Sequence, residues 1–100
     1  MTVVRMDIHR AAFAAGSFDV VTLLEVLEHL ENPQAALKRL ANIARRFVLL
    51  SVPSVSDDNP EHLHLFTPKQ LREMAEGAGA KRTTMEHVLN HRIVLIRVAE

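Results

Sequence analysis

Residues Phe18 to Leu24 form an almost unbroken apolar run of strand length. Apolar residues on both alternating sides, rather than on every second residue, are what a parallel strand covered on both faces requires. The run leads directly into Glu25, Glu28 and His29. In an open α/β sheet ligands sit beyond the carboxyl ends of the strands, so these three residues fall where a site is expected. If Glu25 to Leu30 turns helically, positions i, i+3 and i+4 share one face and the three side chains converge.

The segments on either side support an α/β reading. Thr2 to Met6 is β-prone and stops at Asp7, which at a strand's carboxyl end is either a turn residue or a binding residue. His9 to Gly16 reads as a loop, and Asp19, near the amino end of its strand, reads as structural. Asn32-Pro33 is a helix start, a capping side chain followed by Pro at the first helical position. Leu37, Leu40, Ala41 and Ala44 follow at helical spacing, and Arg45 and Arg46 are expected in the last turn, where cations suit the helix dipole. Phe47 to Val52 is a second apolar strand ended by Pro53, so strand, helix and strand predict a right-handed parallel crossover.

Ser54 to Glu61 is a polar, acidic loop at the carboxyl end of that second strand, the kind of loop that commonly lines a site. His62-Leu63-His64-Leu65-Phe66 alternates, which in extended chain puts both imidazoles on one face. One of them is therefore able to look toward Glu25, Glu28 and His29. Thr67-Pro68-Lys69-Gln70 predicts a capping box, Leu71, Met74, Ala75 and Ala78 an apolar stripe, and Gly79 the cap that closes the helix. Lys81 to Leu89 and Ile93 to Val98 predict an antiparallel pair joined by a turn at Asn90-His91. His87 and His91 read as surface or turn residues.

One hundred residues, about half of them apolar (48%), describe a single domain with a modest core. Zero cysteines exclude a disulfide framework, a thiolate zinc site and a cysteine nucleophile, which suits a cytoplasmic protein. No segment reads as membrane-spanning or as a signal peptide. The formal net charge of +0 gives no general pull toward nucleic acid, so nucleic acid is not expected as a partner.

Taken together, Met6-Asp7 through Phe13, Gly16 to Val21, Glu25-Val26-Leu27-Glu28-His29-Leu30, Ser51-Val52-Pro53, Phe66-Thr67-Pro68 and Leu71 to Gly79 resemble the carboxyl-terminal portion of the class I S-adenosylmethionine-dependent methyltransferases. Each piece is common, and the order and spacing carry the resemblance. It implies a partial Rossmann-like methyltransferase sheet in a three-layer α/β fold, with parallel strands, crossover helices and an antiparallel pair at the carboxyl terminus. The family's seven strands run in the order three, two, one, four, five, seven, six, and this chain would hold strand three as Thr2 to Met6, then four to seven. Residues 1–100 would thus be a single truncated methyltransferase-like domain. The family's first strand, its glycine-rich cofactor loop and the acidic residue after its second strand have no counterpart, and the three glycines form no G-x-G. Ala11 and Ala12 stand where Leu-Pro is usual before Phe13.

By this resemblance Asp7 and Ile8 would contact the adenine of S-adenosylmethionine, and Leu24 to Glu28 would pass along the cofactor, with Leu24 and Glu25 among the cofactor-binding residues. Glu25-x-x-Glu28-His29, followed by His62 or His64 before an aromatic-Thr helix start, is similar to the divalent-metal constellation of small-RNA 2′-O-methyltransferases and, less closely, of ubiquinone-pathway O-methyltransferases. Glu25, Glu28, His29, His62 and His64 would then suit Mn²⁺, Fe²⁺ or Zn²⁺, and Mg²⁺ if waters complete the shell. Without a metal, His29 would be the general base, with Glu28 beside it. The expected activity is methyl transfer to oxygen or nitrogen of a small molecule. One alternative is a non-catalytic half-domain that pairs with another chain through its exposed sheet edge, and a second is a metal-dependent fragment of the RNA 2′-O-methyltransferase kind. Without strands one and two the Val20 to Leu24 edge lacks its neighbour, which predicts a homodimer or pairing with a separate amino-terminal half.

Overall fold

The computed structural model describes residues 15–54 and 65–99. The expected strand Thr2 to Met6, together with Asp7, Ile8, His62 and His64, lies outside the described residues. Strand β1 spans Phe18–Leu24 and is followed by a single 3₁₀ turn, Leu27–His29. Helix α1 spans Pro33–Ile43, β2 Ala44–Pro53, α2 Pro68–Gly77, β3 Arg82–Val88 and β4 His91–Arg97.

The four strands form one sheet in the order β1-β2-β4-β3. β1 and β2 are parallel, and β4 runs antiparallel to both β2 and β3. This is the order four, five, seven, six that the resemblance implied. β1 stands at one edge of the described sheet.

Local chemistry sets the helix ends. The Asn32 side chain accepts a hydrogen bond from the Ala35 amide at 3.2 Å, and Pro33 follows it where a missing N–H leaves no bond unmade. In α2 the Gln70 amide donates to Thr67 Oγ1 at 3.1 Å while the Thr67 amide donates to Gln70 Oε1 at 2.8 Å, closing the capping box. At the other end Gly79 has φ +92°, its amide donates to the Glu76 carbonyl and the Ala80 amide reaches back to the Ala75 carbonyl. That pair of bonds satisfies the last carbonyls of α2 and needs the left-handed residue that glycine supplies.

Two expectations about α1 and the hairpin shift. Arg45 and Arg46 are not in the last turn of α1, because the backbone becomes extended at Ala44 and β2 begins there with no intervening loop. Arg45 instead meets Asp19 of β1 at 2.5 Å, with both side chains 63% exposed, so the pair contributes little to stability. The hairpin turn falls at Leu89-Asn90 rather than Asn90-His91, with Leu89 at φ 54°, and His91 is the first residue of β4.

The core lies between the sheet and the two helices. Val21 and Leu23 of β1, Val48, Leu50 and Val52 of β2, and Val94 and Ile96 of β4 point one way and pack with Leu37, Leu40, Ile43, Leu71 and Ala75. Both helices cover this one face, joined by a hydrogen bond from Gln34 Nε2 to the Met74 carbonyl at 3.0 Å. Met74 packs against the core, as its spacing predicted. Of the three layers expected, the described residues therefore supply two. On the other face Val20, Leu24 and Leu95 are 50%, 57% and 38% exposed. Among the described residues no helix is long and apolar enough to cross a membrane.

Candidate functional site

β1 and β2 are parallel, and β1 ends with Leu24 opposite Ser51, two residues before β2 ends at Pro53. β4 is antiparallel to β2, so it begins where β2 ends, with His91 opposite Pro53. Topology alone thus brings the residue after β1, the end of β2 and the first residue of β4 to one rim of the sheet. This is the rim at which open α/β sheets bind ligands.

A connected polar group occupies it. The Glu25 amide donates to the Ser51 carbonyl at 3.0 Å, and Ser51 Oγ donates to Glu25 Oε2 at 3.1 Å. The other carboxylate oxygen, Oε1, faces His91 Nδ1 at 2.5 Å. A carboxylate offers only lone pairs, so the shared proton sits on Nδ1 and a neutral His91 carries its free lone pair on Nε2. Ser51 is buried, whereas the Glu25 and His91 side chains are 38% and 51% exposed. Glu25 has φ 54°, a left-handed conformation that a glutamate adopts at a cost. A second pair joins Ser54 Oγ and His87 Nε2 at 2.9 Å. His87 lies opposite Arg92, one residue along from His91, and so belongs to the other face of the sheet.

The convergence of Glu25, Glu28 and His29 on one helical face is not found. The 3₁₀ turn begins only at Leu27, and the left-handed backbone at Glu25 takes that residue out of any shared helix. Glu28 is fully buried, with Oε1 at 3.6 Å from Nε2 of the 32% exposed His29. The structure therefore keeps Glu28 with His29 and sends Glu25 to His91 and Ser51. Among the described residues no three histidine, aspartate or glutamate side chains come together to hold a metal ion. His62 and His64, the other ligands suggested by resemblance, lie outside the described residues, as do Asp7 and Ile8. Leu24 is exposed at the end of β1 beside Glu25.

His91 and Ser51 are the members of this group that sequence reasoning missed. His91 was expected at the surface or in a turn, and Ser51 looked like one more strand residue. A signal did exist: with the carboxyl-terminal strand antiparallel beside β2, its first residue must arrive at the rim where β2 ends.

A family model described as a methyltransferase domain matches residues 2–85. The chain belongs to this methyltransferase family. Solved structures agree in fold. A magnesium protoporphyrin IX methyltransferase from Synechocystis PCC 6803 with bound SAH is 20% identical at a TM-score of 0.70, over 94% of this chain and 49% of its own. A putative methyltransferase from Bacillus halodurans C-125 is 12% identical at a TM-score of 0.77, over 98% of this chain and 78% of its own. An O-methyltransferase family protein from Burkholderia thailandensis is 14% identical at a TM-score of 0.72, over 94% and 33%. The chain thus spans about half the length of the Synechocystis enzyme and a third of the Burkholderia protein. No curated protein sequence matches it.

Proposed function

We propose that this chain acts as the carboxyl-terminal portion of an S-adenosylmethionine-dependent methyltransferase that moves a methyl group to an oxygen or nitrogen of a small molecule. The family match over residues 2–85 carries the reading. The polar rim at the carboxyl ends of β1 and β2 supports it, because ligands of open α/β sheets sit there.

The described residues fit part of the cofactor. Exposed Leu24 beside Glu25 offers an apolar surface and a polar edge, suited to the nucleoside end of such a molecule. The glycine-rich cradle for the methionine end is absent from the sequence. When bound, the cofactor supplies a methyl group on a sulfonium. What the chain's own residues would do is hold the acceptor and receive its proton, with His29 as base and buried Glu28 orienting it. The described residues do not fit a metal ion by themselves.

Because β1 is an edge strand in the described sheet, we further propose that a second copy pairs along it, giving a homodimer. We take the protein to act in the cytoplasm, as its cysteine-free composition suits. The test is calorimetric titration of the purified chain with S-adenosylhomocysteine, with and without Mn²⁺. Saturable heat supports the reading, and a Mn²⁺ requirement would favour the metal-dependent branch. No heat at high protein concentration would leave a half-domain without methyltransferase activity of its own.

A further inference from the structure

The formal net charge of +0 is not evenly spread over the fold. Five of the 12 lysines and arginines, Arg45, Arg46, Lys81, Arg82 and Arg97, stand at the end of the sheet away from the polar rim. Topology puts them there, because β2 and β3 begin at this end and antiparallel β4 finishes at it. The backbone ties them side by side: the Val98 amide donates to the Arg46 carbonyl at 2.8 Å, and the Lys81 amide to the Arg97 carbonyl at 2.7 Å. All five are exposed. Lys81, Arg82 and Arg97 belong to the two strands beyond β2, the part of the sheet farthest from the β1 edge. The described carboxylates at this end are Asp19, which pairs with Arg45, and Glu76 near the close of α2. Among the described residues no carboxylate pairs with Arg46, Lys81, Arg82 or Arg97. Arg82 lies directly opposite Arg97, and like charges facing each other across a strand pair weaken a sheet, so folding alone gives no reason for this placement.

We propose that this basic end binds the phosphodiester backbone of single-stranded nucleic acid. Charge complementarity argues for that occupant. Neighbouring strands lie about 4.8 Å apart, so β2, β4 and β3 carry the cations in a row about 10 Å long, able to neutralise successive phosphates of one chain. Four of the five are arginine, whose planar fork matches a phosphate bidentately. The residues flanking them are Ala44, Phe47, Ala80, Thr83, Ile96 and Val98, none of them an exposed large apolar side chain. A protein partner would need an apolar centre to its interface, and a membrane an apolar face to insert, and these flanks offer neither. Backbone binding of nucleic acid needs charge alone. The basic end is opposite the polar rim, so the proposal is one of docking and stands independently of the methyltransferase reading.

The experiment is fluorescence anisotropy of a labelled oligouridylate titrated with the whole chain, from about 20 mM to about 200 mM salt. Binding should weaken with salt at a log–log slope of about −3, from about −0.7 for each of the four cations that no carboxylate pairs. Arg46→Gln, Lys81→Gln and Arg82→Gln together should cut the slope to about −1 and weaken binding at least about tenfold at low salt. Lys69→Gln with Arg72→Gln, which removes two cations from α2 and leaves the basic end intact, should change neither. All three substitutions at the basic end are at exposed positions, and Arg82→Gln removes a like charge facing Arg97, so the urea midpoint should not fall. Absence of saturable binding at about 20 mM salt, or equal losses from the two sets of substitutions, would overturn the proposal. So would polyglutamate or phosphatidylserine vesicles binding as tightly as the oligouridylate, which would give this end to an acidic protein or an anionic membrane instead.

Discussion

Glu25 is the residue whose replacement separates backbone from side chain most cleanly. Its φ of 54° puts a non-glycine residue in the left-handed region, which costs about 1–2 kcal/mol. Glu25→Ala and Glu25→Gly both lose the Ser51 hydrogen bond, about 1 kcal/mol, and the His91 pair, which at 38% and 51% exposure is worth about 0–1 kcal/mol. They differ only at the backbone. Glycine relieves the left-handed strain but loses about 0.4–1 kcal/mol through its freer unfolded chain. The glycine variant should therefore be the more stable by about 0.5–1 kcal/mol. With a urea m-value of about 1 kcal/mol per molar, its midpoint should lie about 0.5–1 M above that of the alanine variant. Thr22, an exposed residue inside β1, is the control. There Thr22→Gly should be less stable than Thr22→Ala by about 0.5–1 kcal/mol, the opposite sign. An alanine variant at Glu25 as stable as the glycine one, with Thr22 behaving as expected, would refute the left-handed assignment.

Thr67→Ala removes one half of the capping box and should lower the urea midpoint by an amount worth about 1 kcal/mol, with no change in m-value. Leu27→Ala should cost about 2–5 kcal/mol, since Leu27 is fully buried in the turn after β1; a loss below about 1 kcal/mol in the same assay would mean that this turn does not pack as described. Light scattering should find a dimer, and Val20→Lys, which places a charge on the exposed side of the edge strand, should shift it to monomer. A dimer that survives this change would argue against pairing along β1.

What could be read from the sequence was local, and what could not was set by contacts far along the chain. The starts of α1 and α2 follow from Asn32-Pro33 and Thr67-Pro68 with Gln70, because a cap is decided within four residues. The apolar runs gave β1, β2 and β4, and the family's strand order placed them correctly. α1 ends before the residues its spacing suggests, because Ala44, Arg45 and Arg46 suit a helix as well as a strand and pairing with β1 decides between them. The turn after Val88 falls one residue early, with Leu89 rather than Asn90 in the left-handed position, against the usual preference. The candidate site was half legible. Glu25 lies in the polar group at the rim, but the helical convergence of Glu25, Glu28 and His29 needs right-handed backbone at Glu25, and the structure holds that residue at φ 54° instead. The partner of Glu25 is His91, which only the antiparallel return of β4 brings near.

The energetics of Glu25 bear on why that partner matters. The left-handed backbone costs about 1–2 kcal/mol, and the contacts it permits return about 1 kcal/mol from Ser51 and about 0–1 kcal/mol from His91. The two sides nearly cancel, so stability alone gives no reason for a glutamate in this conformation, where glycine would serve. What the arrangement does produce is order: a half-exposed imidazole that would otherwise rotate and exchange tautomers is held by two linked hydrogen bonds. The network is therefore close to neutral for folding, and what it contributes is the fixed placement of the His91 ring.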